Sequence, residues 1–141
     1  MGIAEWLLKK LYRHPMVIPA RGDGSPYLRR YKLLKLFGYG IYIHEILQSD
    51  DDSFLHDHPF DFTSVILSGC YYEYMPDCIR LRTRGKVIHH KAIDAHRLVL
   101  NGGPTWTLFI RGPKYREWGF ITDKGWVPYY QYLDKSTDEM E

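Results

Sequence analysis

The sequence is poor in cysteine, has almost no excess charge of either sign and contains no long apolar run. Cys70 and Cys78 are the 2 cysteines among 141 residues. They are too few for a disulfide framework or a zinc knuckle and read as ordinary thiols of a reducing compartment. Nineteen Lys and Arg against 17 Asp and Glu leave a formal net charge of +2, so bulk electrostatics gives no support for a nucleic-acid partner. No stretch approaches the roughly 20 apolar residues that a membrane-spanning helix needs. The amino terminus, MGIAEWLLKKLYRHP, lacks the apolar core and cleavage site of a secretion signal, and Trp6 stands where myristoylation wants Ser or Thr. These absences predict a cytoplasmic protein with neither a membrane nor a nucleic-acid partner.

What is present is a globular composition with a surplus of aromatics: 45% hydrophobic, 26% charged and 16% aromatic residues, including 12 Tyr. That excludes disordered and collagen-like chains, and the length suits one domain burying about 70% of its unfolded surface. Residues 3–12, IAEWLLKKLY, place Ile3, Trp6, Leu7, Leu8 and Leu11 near one helical stripe that Pro15 ends. This predicts a short amphipathic helix within residues 1–15, packed on the body of the domain.

From Tyr27 onward the texture changes to short runs rich in Tyr, Ile, Val, Phe and Thr, punctuated by Gly, Pro, Asp and Asn. Strands joined by turns are the reading, at 27–36, 40–47, 62–68, 70–75, 79–84, 86–93, 96–100, 105–112 and 116–122. Such a pattern is all-β, a sandwich or a barrel over 27–133, with a polar tail at 134–141 that frays.

Of the 7 histidines, His56 and His58 carry the strongest signal. Side chains at i and i+2 of a strand share a face, so two imidazoles spaced this way converge on one point, as a metal requires. The third ligand is sought in His96, which opens the apolar strand HRLVL. His14, His44, His89 and His90 are read as core or surface residues outside the metal set, His44 having the barrel interior as an alternative. DDDS at 50–53 lacks the spacing of a calcium loop and is a solvated turn. YLRRYKLLKL and KYRE could present Arg or Lys to a phosphate or carboxylate, but the blander reading is a solvated edge guarded by charge. GYG at 38–40 and NGG at 101–103 are turn chemistry.

The stretch HDHPFDFTSVILSG at 56–69 resembles the first motif of the cupin superfamily, and AHRLVLNGGPTWTLFIRG at 95–112 resembles the second. With the flanking strands the resemblance covers roughly residues 27–121. It implies a double-stranded β-helix, the cupin jelly-roll barrel, holding one divalent metal ion on His56, His58 and His96. A homodimer paired through edge strands is a further implication.

One position departs from the motif: Phe62 stands where the family has a glutamate ligand, and Asp61 precedes it. Strand alternation points Asp61 away from the histidines unless Pro59 bends the chain. Three imidazoles suit Zn(II), and imidazole also suits Fe, Ni and Cu, so ligand type does not select the metal. Thiol and diketone-cleaving dioxygenases of the cupin superfamily hold Fe(II) on three histidines, so the resemblance implies a small-molecule dioxygenase with Fe(II), Zn(II) or Ni(II) remaining as alternatives. Asp61 or Arg97 would then orient the substrate or an imidazole. Two other readings stay open: a non-catalytic module for a small ligand or peptide with a structural metal or none, and a metal-independent sugar-nucleotide epimerase or isomerase.

Overall fold

The computed structural model describes residues 2–11, 15–20, 23–50 and 53–133. His14 and the expected tail at 134–141 lie outside them. One helix, α1 (Ile3–Leu11), precedes twelve strands: β1 (Met16–Pro19), β2 (Pro26–Leu36), β3 (Tyr39–Ile46), β4 (Leu55–His56), β5 (Phe62–Ser68), β6 (Tyr71–Tyr74), β7 (Ile79–Arg82), β8 (Val87–His90), β9 (Arg97–Leu100), β10 (Thr105–Arg111), β11 (Gly119–Thr122) and β12 (Gly125–Pro128). Residues 129–133 are helical.

The strands form two walls. One is a six-stranded sheet in the order β1-β2-β3-β10-β5-β8; the other is made of β12-β11-β4 and β7-β6-β9. An antiparallel bridge between His56 and His96 joins the two halves of the second wall. All named pairings are antiparallel, which is the jelly-roll arrangement that leaves short, protected edges. Between the walls Ile66 and Ile88 meet Tyr71, with Leu98 and Leu100 packed against them.

Nine strands were expected and three more exist. β4 is two residues long, too short to show a period, and β1 and β12 each end in proline, which reads as a turn. The strand expected over 116–122 begins only at Gly119.

The opposite face of the large sheet buries Tyr31, Ile43 and Trp106 in a second cluster. There Lys9 of α1 reaches Glu45 at 3.6 Å and lies over the Trp106 ring. Ile3 remains 80% exposed, and Trp6 and Leu7 about half, so these members of the apolar stripe do not seat the helix. β1 covers the outer side of β2 only over Pro26–Arg30, so the charged edge expected for this strand holds for its second half, where residues 32–36 are exposed. Arg29 binds Glu45 at 2.7 Å, and Arg30 turns to the opposite face.

Candidate metal centre

The bridge that closes the second wall also assembles the site. His56 N donates to His96 O and His96 N to His56 O, both at 2.9 Å. Two residues that exchange backbone hydrogen bonds in an antiparallel pair project their side chains to one face, and here the ring centroids are 5.0 Å apart. His58, two positions on, is held by its N–H to Ala92 O at 3.0 Å. Its ring lies 5.2 Å from His56 and 4.8 Å from His96. One ligand nitrogen from each of the three lies within 4.8 Å of the others. They share a cavity of about 220 Å3 with Phe60, Phe62 and Phe109.

The chemistry of this set fits a divalent ion. Burial first, then the neighbouring His96, His56, His90 and Arg116 charges, hold the His58 pKa well below its usual value, which keeps the ring in its neutral, ligating form. His58 Nδ1 is buried without a hydrogen-bond partner, the kind of orphaned polar atom that a bound ion would satisfy.

Asp57, between the two histidines, points the other way by strand alternation. It is 2% exposed and accepts from Gly119 N at 2.7 Å and Trp126 Nε1 at 2.9 Å, while Arg116 Nη1 lies 2.9 Å from its Oδ2. The Arg116 guanidinium also donates to the His58 carbonyl at 3.1 Å. Asp57 thus pins the histidine pair to β11 and β12. Asp57→Ala leaves three donors stranded, one of them charged, and is expected to destabilise the fold by about 3–5 kcal/mol in urea unfolding. A loss below about 1 kcal/mol would contradict this anchoring.

Glu73 is the residue that sequence reasoning missed. It is 1% exposed on β6. Its Oε2 meets His96 Nδ1 at 2.6 Å and His90 Nε2 at 2.7 Å, and its Oε1 accepts from Arg82 Nε at 2.8 Å. Burial alone would raise its pKa, but the hydrogen bonds from His90 and His96 outweigh it and hold the carboxyl well below the usual range. Glu73 therefore keeps the N–H of His96 on Nδ1 and leaves Nε2 as the ligating nitrogen, the familiar carboxylate–histidine arrangement of metal sites. His90, set outside the cluster on sequence grounds, belongs beside it. With Glu73 and His96 it forms a second group able to hold a metal. The signal was the alternation in CYYEYM, where Tyr71 and Glu73 share the buried face.

The other candidates lie elsewhere or do other work. Asp61 is exposed; its Oδ1 accepts from Ala92 N at 2.8 Å and Tyr115 Oη at 2.7 Å, outside the cavity. Arg97 lies over the Tyr74 ring at 4.8 Å, and it too is not among the cavity residues. Phe62 is 5% exposed, its ring 4.5 Å from His58 and 5.9 Å from His96, so it walls the histidine cluster. His44 does face the interior. His89 is exposed and bonds Thr63. Asp50 is not solvated: its side chain is 8% exposed, it binds Tyr27 and the Leu98 N–H, and it stands 4.0 Å from His56 Nδ1. The GYG reading holds for Gly38, whose φ is +82°, but Gly40 lies within β3. Cys70 and Cys78 are free thiols. Among the described residues no helix is long and apolar enough to cross a membrane.

No family model and no curated protein sequence matches the chain. Solved structures do. A cupin-2 domain from Rhodospirillum rubrum superposes with a TM-score of 0.62 over 79% of this chain and 78% of that one, at 10% identity. KdgF from Halomonas sp. gives 0.55 over 66% and 86%, at 13% identity. Fe(II) HppE gives 0.58 over 70% of this chain and 57% of its own, at 14% identity. With two antiparallel walls, a histidine cluster between them and these neighbours in fold, the chain is a jelly-roll barrel of the cupin fold.

Proposed function

We propose that this protein is a metal-dependent enzyme of the three-histidine kind, a dioxygenase that acts on a small molecule with Fe(II) as its metal. The observation that carries the reading is the convergence of His56, His58 and His96 at a position where the motif's carboxylate ligand is replaced by Phe62. Iron draws further support from the likeness in fold to Fe(II) HppE. His56, His58 and His96 would hold the Fe(II), which when bound would supply activation of O2 and of a substrate heteroatom.

The protein's own part is geometry and exclusion of water. Glu73 orients His96 from behind, Asp57 fixes the strand that carries His56 and His58, and Phe60, Phe62 and Phe109 line the approach. Substrates small enough for a cavity of about 220 Å3 are the ones to test.

The experiment is O2 consumption by untagged, iron-loaded protein with a panel of small thiols and dicarbonyls, alongside Zn(II)- and Ni(II)-loaded protein. Substrate-dependent uptake with iron alone is the expected result. A protein that takes up no metal yet binds a small ligand would replace this reading with that of a non-catalytic module.

A further inference from the structure

The interior face of the large sheet carries a cation that the metal reading does not use. Arg30 on β2 stands directly across from His44 on β3, and its Nε donates to His44 Nε2 at 3.1 Å. His44 is 5% exposed, and burial, followed by the Arg30 charge, pushes its pKa down to about 3. The imidazole is therefore a neutral acceptor gripping one edge of the guanidinium. Both terminal NH2 groups of Arg30 remain, and no acceptor meets them among the described residues. Arg30 and His44 line the same cavity as the three histidines.

A second guanidinium stands close by. Gly40 leaves room for the Tyr42 ring, since a Cβ there would lie 2.5 Å from a ring carbon and 2.7 Å from the hydroxyl oxygen. The ring takes the guanidinium carbon of Arg30 at 5.2 Å and that of Arg111 at 5.9 Å. Arg111 also lies 5.0 Å from the Phe60 centroid. It faces an open surface groove whose wall, Phe62 and His90, is shared with the inner cavity. The arginine ion pairs among the described residues are Arg29–Glu45, Arg82–Glu73 and Arg116–Asp57, so neither Arg30 nor Arg111 has a carboxylate. Two like charges share one ring, partly desolvated and without an ion-pair partner among the described residues. That arrangement costs stability on its own and is relieved by an arriving anion.

We propose that Arg30, held by His44 and reinforced by Arg111, is the receptor for an oxyanion, the carboxylate or phosphoryl group of a small molecule. Terminal guanidinium NH2 groups match the paired oxygens of such a group. Between receptor and histidine cluster lie aromatic rings: Phe109 stacks on His44 at 4.6 Å, and Phe62 is 5.0 Å from Phe109 and 4.5 Å from His58. The ligand class is thus a short molecule with an oxyanion at one end and an apolar middle. That its far end reacts at the histidines rests on the function proposed above; the receptor itself does not.

Calorimetric titration of the full chain with inorganic phosphate, with butanoate and with uncharged butanol tests this, metal content being measured on the same samples. One oxyanion is expected to bind with one-to-one stoichiometry and butanol not at all; which oxyanion binds separates phosphoryl from carboxylate. Arg30→Met is expected to weaken binding by at least about tenfold, and Arg111→Met by a smaller factor that shrinks further in high salt. Without ligand, Arg30→Met is expected to melt no lower than the parent, because it removes an uncompensated charge. Should Arg30→Met fail to fold, Arg30→Lys serves, since an ammonium cannot be gripped at one edge while presenting two NH2 groups, and it too must weaken binding. No binding of either oxyanion by the parent, or parental affinity in the Arg30 variants, overturns the inference. Bound metal without oxyanion binding sinks only this receptor, whereas oxyanion binding by a chain that takes up no metal sinks only the enzyme reading.

Discussion

Untagged protein carrying His96→Ala or His58→Ala is expected to lose most of its metal, with affinity down more than about 100-fold, while the intact chain holds about one ion. The reason is geometric. His56 and His96 face each other through paired backbone hydrogen bonds, so deleting one imidazole leaves two donors of the three; Phe62, which cannot coordinate, stands beside His58 and His96. Elemental analysis after dialysis reads the result, and His90→Ala is the discriminating partner. If metal sits on His56, His58 and His96, His90→Ala retains it at near-parental stoichiometry. If His90→Ala empties the site and His56→Ala does not, the ion belongs to the Glu73–His90–His96 group instead, and the three-histidine reading fails.

Glu73→Gln is expected to lower metal affinity by about 10–100-fold without touching a ligand. A carboxylate only accepts, and therefore holds the His96 proton on Nδ1. A glutamine can present its NH2 group there, in which case His96 must accept on Nδ1 and carry its proton on Nε2, the nitrogen the metal needs. Glu73→Asp, which keeps the charge but shortens the reach, is expected to recover part of the loss. Parental affinity in Glu73→Gln would show that the contact does not tune His96.

The same carboxylate sets the acid response of the metal-free chain. Its pKa is depressed in the fold, so its contribution is present above the usual carboxyl value of 4.5 and disappears as pH falls through the folded value. For His90, burial opposes the charged form, but the bonds its ring donates to Glu73 and then to Asp94 prevail and raise the pKa. Its contribution is present below 6.5 and disappears as pH rises through the folded value. Metal-free protein is therefore expected to be most stable between these two values, and Glu73→Gln to flatten the profile in thermal melts.

Short-range pattern carried the all-β class and most strand positions, because an exposed face alternating with a buried one writes itself into neighbouring residues. Thr63 and Val65 alternate with buried Phe62, Ser64 and Ile66 along β5. The spacing of His56 and His58 was legible for the same reason, and the place of His96 at the head of an apolar strand made it the third partner. β4, two residues long, left no period to read, and β1 and β12 each end in a proline that breaks the strand pattern, and so these three escaped.

By itself the sequence determined which residues can alternate inward and how far apart along the chain the three imidazoles lie. Only the tertiary structure decided that His56 of β4 meets His96 just ahead of β9, that Glu73 of β6 stands behind His96, and that Arg30 faces the cavity with no ion-pair partner among the described residues. The physical reason is that strand pairing between distant segments is chosen by how the two walls close over one core. A charged side chain on a strand looks the same in sequence whether that closure turns it to solvent or to the interior.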